Sequence, residues 1–264
     1  MILTAGGKTD QGLVRANNED HIYLSERLGL VAVADGIGGR MSGETASKQA
    51  VKALSDYFKK GSQTISPFDS SYSETTNRLN AAVMLANRSV YEKAQSSPEL
   101  NGMGTTLAAA VLKGNQLSFA HIGDSRIYLV RSGSIEQLTE DHSLVQEQIR
   151  FDWSNKNAPE RSVVKNVLTR AVGINSDVHA DLGELTVLQG DILLLCSDGL
   201  HNMVSDEEML EIISRAGNVH AACEILIDMA NDNGGQDNIS AIVGYIHQEK
   251  WYSSWSTFMN AFRR

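Results

Sequence analysis

The sequence predicts an α+β fold in which two antiparallel β-sheets carry helices on their outer sides. Four apolar, β-prone runs begin or end close to an Asp in a Gly-containing turn, at residues 28–34, 117–122, 192–196 and 239–246. Apolar residues with helical spacing occur between the first two runs. Gly114 and Asn115 separate two β-prone segments, which is typical of a hairpin and therefore of antiparallel strands.

The individual elements follow from the same patterns. Residues 46–58 and 79–90 have apolar residues three or four apart, as in helices that pack one face on a sheet. The hairpin strands cover 106–112 and 116–122, and residues 126–131 are predicted to continue this meander. Two more helices are predicted at 206–216 and 221–231, the first with Ser205 as N-cap and Glu208 at the capping-box position.

The length, composition and net charge of the chain limit the classes of protein to which it can belong. A chain of 264 residues with 42% hydrophobic and 21% charged residues can form one globular domain. The net charge of −9 argues against nucleic acid as a partner, because a nucleic-acid surface needs clustered Lys and Arg. We find neither a signal-peptide pattern nor an apolar run of transmembrane length, and Cys196 and Cys223 lie in apolar runs. We therefore expect a cytoplasmic protein with reduced thiols.

Five aspartates beside turns or strand ends form the candidate site. Each alone has an ordinary explanation, because Asp-Gly and Gly-Asp pairs are common turn formers. Several carboxylates gathered without basic partners would repel one another unless cations lie among them. Hard divalent ions prefer oxygen ligands, and the sequence has no His or Cys cluster with the spacing of a soft-metal site. The sequence therefore predicts a divalent metal centre built from Asp20, Asp35, Asp124, Asp198 and Asp237.

Nine short motifs that include these aspartates follow one another along the chain. They are Arg15-x-x-Asn18-Glu19-Asp20, Val33-Ala-Asp35-Gly36-x-Gly38-Gly39, Gly43-Glu44-x-Ala46-Ser47, Met103-Gly104-Thr105-Thr106, His121-x-Gly123-Asp124-Ser125-Arg126, Leu138-Thr-x-Asp141-His142-Ser143, Leu168-Thr169-Arg170-Ala171-x-Gly173, Ser197-Asp198-Gly199-Leu200 and Gly234-Gly235-x-Asp237-Asn238. In this order they resemble the metal-dependent protein phosphatase family of type 2C, in its compact bacterial form, from about residue 7 to about residue 246. An ordered series of motifs is far more specific than a single one.

The resemblance implies a fold and a set of site residues. The implied fold is a four-layer α-β-β-α sandwich, two antiparallel sheets packed face to face with helices on both outer faces. Arg15 matches the family's phosphate-binding arginine, and its planar fork suits phosphate oxygens, although an Arg is also often only a solvated surface charge. Asp124 and Asp198 match the ligands of a weaker third ion. The implied ligands of a binuclear Mn²⁺ or Mg²⁺ centre are Asp20, Asp35, Asp198, Asp237 and the Gly36 carbonyl.

The implied activity is hydrolysis of phosphoserine and phosphothreonine in proteins by a water that bridges two ions, opposing Ser/Thr kinases. The implied partners are phosphorylated proteins, including such a kinase or its targets, and the chain is expected to be a monomer. Two other functions stay open: a regulatory or scaffold domain with little turnover, and a phosphatase for small phosphorylated metabolites. A missing metal aspartate would favour the scaffold, and none is missing.

Some residues near the motifs have no assigned catalytic role. Arg40 stands where similar family members usually carry a His, so it is either a surface charge or a substrate contact, and it cannot donate a proton at ordinary pH. Glu19 either holds a metal-bound water or faces solvent. His121, His142 and His201 lie close to motif residues, and we expect structural roles for them rather than a role as general acid.

The predicted domain organisation is a catalytic domain over 1–247, with a flap-like insertion at about 141–168, and a C-terminal amphipathic tail over 248–264. The insertion is polar and contains Pro159, and it matches the family only at its two ends. In the tail, apolar residues recur at helical spacing from Trp251 to Phe262. We expect this stripe to dock on the protein itself, and the alternative is an anchor for a partner or a membrane surface.

Overall fold

Two five-stranded antiparallel sheets pack face to face in this computed structural model, which describes residues 1–38, 42–61, 68–144, 146–147 and 167–248. The first sheet has the order β1 (Ile2–Asp10), β12 (Ile239–His247), β11 (Ile192–Cys196), β8 (Arg126–Arg131) and β9 (Ser134–Gln137). The second has the order β10 (Asp181–Thr186), β7 (Gln116–Ile122), β6 (Leu107–Lys113), β3 (Leu30–Ala34) and β2 (His21–Ser25). A short ribbon pairs β4 (Gly36–Ile37) with β5 (Gly104–Thr105).

Helices cover the outer face of each sheet. The helices α1 (Ser42–Lys59) and α2 (Glu74–Gln95) share an apolar core with the second sheet, and α4 (Asp206–Arg215) and α5 (Val219–Asp232) share one with the first. The short helix α3 (Asp198–His201) follows β11, and two 3-10 turns cover Glu26–Leu28 and Pro98–Leu100. The predicted α-β-β-α sandwich is therefore confirmed. None of the helices within the described residues is long and apolar enough to cross a membrane.

The continuous apolar runs are explained by strands that are buried on both faces. On β3, Val31 and Val33 point between the two sheets, whereas Leu30, Ala32 and Ala34 point toward α1 and α2. The strand β11 alternates in the same way between the middle layer and the helices α4 and α5. The first and last strands are neighbours, because β1 pairs with β12 from Ile2–His247 to Asp10–Ile239.

The prediction that residues 126–131 continue the meander of the 106–122 hairpin is wrong. The strand β8 pairs with β11 and β9 in the first sheet, whereas β6 and β7 belong to the second. The chain changes sheets at Gly123, which has a φ of 104° and where a Cβ would lie 2.6 Å from Thr106 Cγ2. Glycine is the residue that tolerates both conditions. Asp124 therefore lies in the connection between the two sheets.

The capping box predicted at the start of α4 is present. The Ser205 hydroxyl accepts from the Glu208 N–H at 3.3 Å, and the Glu208 carboxylate accepts from the Ser205 N–H at 2.9 Å. Most of the flap-like insertion and the tail from residue 249 onward lie outside the described residues, so the domain boundaries stay a prediction. The two ends of the insertion meet, since the Leu144 N–H donates to the Val167 carbonyl at 2.9 Å.

Candidate metal centre

The aspartates predicted from strand ends gather around an open cavity of about 810 Å³. Asp35 follows β3 and Asp198 follows β11, whereas Asp20 precedes β2 and Asp237 precedes β12. In an antiparallel pair the end of one strand adjoins the start of its neighbour, which is why these residues meet. The lining of the cavity includes Asp35, Gly36, Asp124, Asp198 and Asp237.

Asp20 lies beneath this lining and is 4% exposed. The hydroxyls of Ser197 and Ser240 each donate to Asp20 Oδ2 at 2.7 Å. The other oxygen, Oδ1, is buried and has no hydrogen-bond partner within the described chain, and the same holds for Asp198 Oδ1. A buried polar atom without a partner is costly, so both oxygens are suited to a ligand that is positively charged.

Burial and mutual repulsion make these carboxyl groups hard to ionise. Removal from water is the largest cause, and it raises the pKa of Asp20 to about 7, of Asp124 to about 7 and of Asp198 to about 6. The pKa of Asp35 is raised well above its usual range by burial and then by the charge of Asp20. Divalent cations would reverse this penalty, because they favour the ionised form. The cluster therefore fits hard metal ions.

Arg15 brings a positive charge to the edge of the acidic cavity. Its Nη2 donates to Asp237 Oδ2 at 2.6 Å, and the side chain is 55% exposed. The hydrogen bond that Arg15 donates to Asp237 is the largest cause of the raised pKa of Arg15, so the guanidinium is charged at any ordinary pH. Arg15 is thus an exposed charge that lines the cavity beside a predicted metal ligand, and its phosphate-binding role stays a prediction.

Asn238 fastens the loop that carries Arg15. Its Oδ1 accepts from the Glu19 N–H at 2.8 Å, and its Nδ2 donates to the Gln11 carbonyl at 2.8 Å and to the Asn17 carbonyl at 2.9 Å. The side chain is 5% exposed, so these bonds are shielded from water. No role is predicted for Asn238, Ser197 or Ser240 from the motifs. For Asn238 the sequence does contain a signal, because this residue directly follows the predicted ligand Asp237.

Glu19 lies in this loop, and its side chain reaches the start of α1. A Cβ on Gly43 would be 2.2 Å from Glu19 Oε2, and the Asn17 amide donates to Glu19 Oε1 at 3.1 Å. The backbones of Gly36 and Gly43 also approach each other closely, since a Cβ on Gly36 would lie 2.2 Å from the Gly43 carbonyl oxygen. Glycine is required at both positions for this approach. Glu19 lines the cavity rather than facing open solvent.

The three histidines near the motifs bind backbone groups. His121 Nε2 lies 2.9 Å from the Glu140 carbonyl, and His201 Nε2 lies 3.0 Å from the Asp124 carbonyl. His142 Nδ1 accepts from the Gly123 N–H at 3.1 Å. Burial lowers the pKa of His121 and of His201 to about 4. These contacts agree with the structural roles expected for the three residues, and Arg40 lies outside the described residues.

The family model of protein phosphatase 2C matches residues 14–242. This chain belongs to the protein phosphatase 2C family. Among curated relatives of this 2C phosphatase, serine/threonine phosphatase stp of Listeria innocua is 38% identical over 239 residues, which cover 89% of this chain and 93% of that protein. Serine/threonine protein phosphatase PstP of Mycobacterium tuberculosis is 37% identical over 92% of this chain, but the match covers 45% of PstP.

Solved structures of relatives have the same fold as this 2C phosphatase. The catalytic domain of PstP in complex with two manganese ions is 35% identical and superposes with a TM-score of 0.79, over 94% of this chain and 99% of that chain. Stp1 from Staphylococcus aureus is 31% identical with a TM-score of 0.80, over 94% of this chain and 96% of that chain. The family and the fold expected from the ordered motifs are thereby confirmed.

Proposed function

We propose that this 2C phosphatase hydrolyses phosphoserine and phosphothreonine in proteins and depends on divalent metal ions. The observation that carries the proposal is the composition of one cavity. Asp198 lines the cavity and Asp20 lies beneath it, and each has a buried carboxylate oxygen without a hydrogen-bond partner among the described residues. The Arg15 guanidinium lies at the edge of the cavity. Such a site can bind cations on one side and a phosphate group on the other. The relatives named above are called serine/threonine phosphatases, which supports the same activity.

In this proposal the metal ions are Mn²⁺ or Mg²⁺. Asp20, Asp35, Asp198, Asp237 and the Gly36 carbonyl would hold two ions, and Asp124 and Asp198 would hold a weaker third. All of these donors are oxygens, as hard cations prefer. When bound, the ions lower the pKa of a water molecule and stabilise the negative charge that develops on the phosphate oxygens.

The chain's own residues bind and orient the substrate. Arg15 holds phosphate oxygens through its planar fork, and its bond to Asp237 keeps the guanidinium beside the cavity until substrate arrives. Ser197 and Ser240 hold Asp20 in one orientation, and Asn238 holds the loop that carries Arg15. These bonds fix the site before substrate binds, which limits the ordering that binding must impose.

The leaving serine or threonine oxygen needs a proton. Among the described residues that line the cavity there is no histidine, and Arg15 cannot give up its proton. The proton donor in this proposal is therefore a water in the open cavity. The protein substrates include a Ser/Thr kinase or its targets, and the chain acts as a cytoplasmic monomer.

The test uses purified full-length protein with phosphoserine and phosphothreonine peptides, in Mn²⁺, in Mg²⁺ and in excess chelator. We expect turnover with either ion, loss of turnover with chelator, and recovery after the ion is restored. A panel of small phosphorylated metabolites serves as the comparison for kcat/KM. Turnover that survives the chelator would contradict the metal proposal, and higher kcat/KM for metabolites would contradict the protein substrates.

A further inference from the structure

The peptide groups on both sides of Asp124 are held by buried histidines. On one side, His142 Nδ1 accepts from the Gly123 N–H at 3.1 Å, and the His142 N–H donates to the Gly123 carbonyl at 2.8 Å. On the other side, His201 Nε2 donates to the Asp124 carbonyl at 3.0 Å. The connection between the sheets is therefore restrained immediately before and at Asp124.

His201 joins the two parts of the chain that carry Asp124 and Asp198. Asp198 begins α3 and His201 ends it, so the same single turn of helix presents a carboxylate at one end and the imidazole at the other. The hydrogen bond from His201 Nε2 to the Asp124 carbonyl thus restrains the distance between α3 and the connection that carries Asp124. His201 Nδ1 is buried without a partner within the described chain, a cost that a leucine of similar size would not carry.

Contacts with Asp181 and His121 restrain the ring of His142. Because its Nδ1 accepts a hydrogen bond, its proton is on Nε2, which lies 3.1 Å from Asp181 Oδ2. This contact has the distance of an ion pair but is not a well-aligned hydrogen bond. Asp181 also pairs with Arg170, Nη1 to Oδ1 at 2.6 Å, and His121 stacks on His142 with ring centres 4.3 Å apart. The imidazole that holds Gly123 therefore has little freedom to rotate.

We propose that His201 and His142 are positioning residues that set the Asp124 carboxylate against Asp198 and so determine the affinity of the weak cation site between them. The inference rests on the third ion of the proposed function. Asp124 and Asp198 line the same cavity from two different parts of the chain, so a cation between them would need both carboxylates held within reach of it. A binding site whose ligands are held together in advance binds more tightly than one that must assemble.

Calorimetric titration of Mn²⁺ into metal-free, full-length protein tests this independently of turnover. We expect two tighter sites and a weaker one in the unmodified protein, and loss of the weaker one in Asp124→Ala. His201→Leu should raise the Kd of the weaker site about tenfold or more, as loss of a residue that supports a metal ligand usually does, and leave the tighter sites unchanged. His201→Gln keeps an N–H donor and should recover most of the affinity.

The matched control is Asp191→Asn, which removes the negative charge of a partly buried ion pair with Arg131 at the opposite end of β11. This variant should lower Tm and leave every Mn²⁺ site unchanged, which separates positioning from general loss of stability. If His201→Leu does not fold, Asp181→Asn gives a second measurement, because the Asp181 side chain is 45% exposed and tolerates change. It should also raise the Kd of the weaker site, by a smaller factor.

The two proposals fail in different ways. An unchanged weaker site in folded His201→Leu, or in Asp181→Asn where the leucine variant is unfolded, would overturn the positioning role if Asp124→Ala still abolishes that site. No weaker site in the unmodified protein, or none affected by Asp124→Ala, would overturn the third ion and the positioning role with it.

Discussion

At the scale of single residues, the centre is an assembly of carboxylates that destabilise one another. Asp35 is the clearest case, since burial and four other aspartates all raise its pKa. The buried carboxylates therefore destabilise the folded chain in the absence of metal, and metal binding offsets this unfavourable free energy. Stability and activity should respond in opposite directions when one of these charges is removed.

Asp35→Asn should abolish turnover and stabilise the metal-free protein. The amide keeps the volume but removes a ligand charge, so kcat should fall by more than about 100-fold, beyond the usual loss for a residue that only supports a ligand. The measurement is phosphopeptide turnover in Mn²⁺ together with thermal unfolding in chelator, where Tm should rise. Asp177→Asn, at an exposed position, is the control and should change neither value. Near-normal turnover of Asp35→Asn at low Mn²⁺ would contradict its role as a ligand.

Arg15→Ala should raise KM for phosphopeptides more than it lowers kcat, provided that the guanidinium binds phosphate about equally in the ground and transition states. Arg15→Lys should recover part of the loss, because a point charge cannot form the two parallel bonds of the fork. Initial-rate kinetics over a range of peptide concentrations give both constants. Arg88→Ala removes an exposed arginine that is paired with Glu92 on α2, and it should leave KM unchanged. If KM is unchanged in both Arg15 variants, Arg15 does not bind the phosphate.

At the scale of elements, Asn238 beside the start of β12 makes three hydrogen bonds to the loop between β1 and β2. Asn238→Ala removes three hydrogen bonds to backbone groups of that loop, and each group left unsatisfied costs about 1–3 kcal/mol where water cannot replace the bond. We expect lower stability in urea and a higher KM, since Arg15 then has more conformations. The measurements are urea unfolding and initial-rate kinetics.

The chain offers a matched control for this prediction in Asn77. Its side chain likewise bonds only to backbone groups in the described chain: Nδ2 donates to the carbonyls of Asp69, Tyr72 and Ser73, and Oδ1 accepts from the Asp69 N–H. Asn77 lies on α2 and is 2% exposed. Asn77→Ala should lose a comparable amount of stability without a change in KM. An equal rise of KM in both variants would show that Asn238 acts through stability alone.

The elements also show how far sequence reasoning reaches. Period and turn residues predicted the hairpin of β6 and β7 and the helices, because these depend on neighbours along the chain. The change of sheet at Gly123 was missed because a Gly-Asp turn occurs both within a meander and where the chain passes to another sheet. The close approach of Gly123 to Thr106 is a contact between residues that are not neighbours in sequence. The gathering of the aspartates at one cavity could be predicted because metal-ligand chemistry restricts the residue type, and their role as ligands stays a prediction. Ser197 and Ser240 act through a contact with Asp20 that no local pattern encodes.

At the scale of the whole molecule, the metal-free protein should lose stability as pH rises. The folded-state pKa of Asp20 is about 7, whereas an unfolded Asp titrates near about 4. Between these values the folded state binds more protons than the unfolded state, so the free energy of unfolding falls with increasing pH. Asp124 and Asp198 act in the same direction.

Thermal unfolding in chelator across this pH range measures the effect. We expect Tm to fall by at least about 5 °C, because a loss of 1 kcal/mol lowers Tm by about 2–4 °C in a chain of this size. Added Mn²⁺ should raise Tm most at the alkaline end, where the ligands are already deprotonated. Asp35→Asn should flatten the dependence. A Tm in chelator that rises with pH would contradict the raised pKa values.

The pairing of β1 with β12 has a consequence for the order of events during synthesis. Arg15 and Asp237 bond across 222 positions of sequence, and β1 has its sheet partner in the last described strand. A growing chain on the ribosome therefore contains Arg15, the proposed phosphate-binding residue, long before it contains Asp237 and Asn238. The emerging polypeptide therefore cannot complete this cavity before β12 has been translated and has paired with β1.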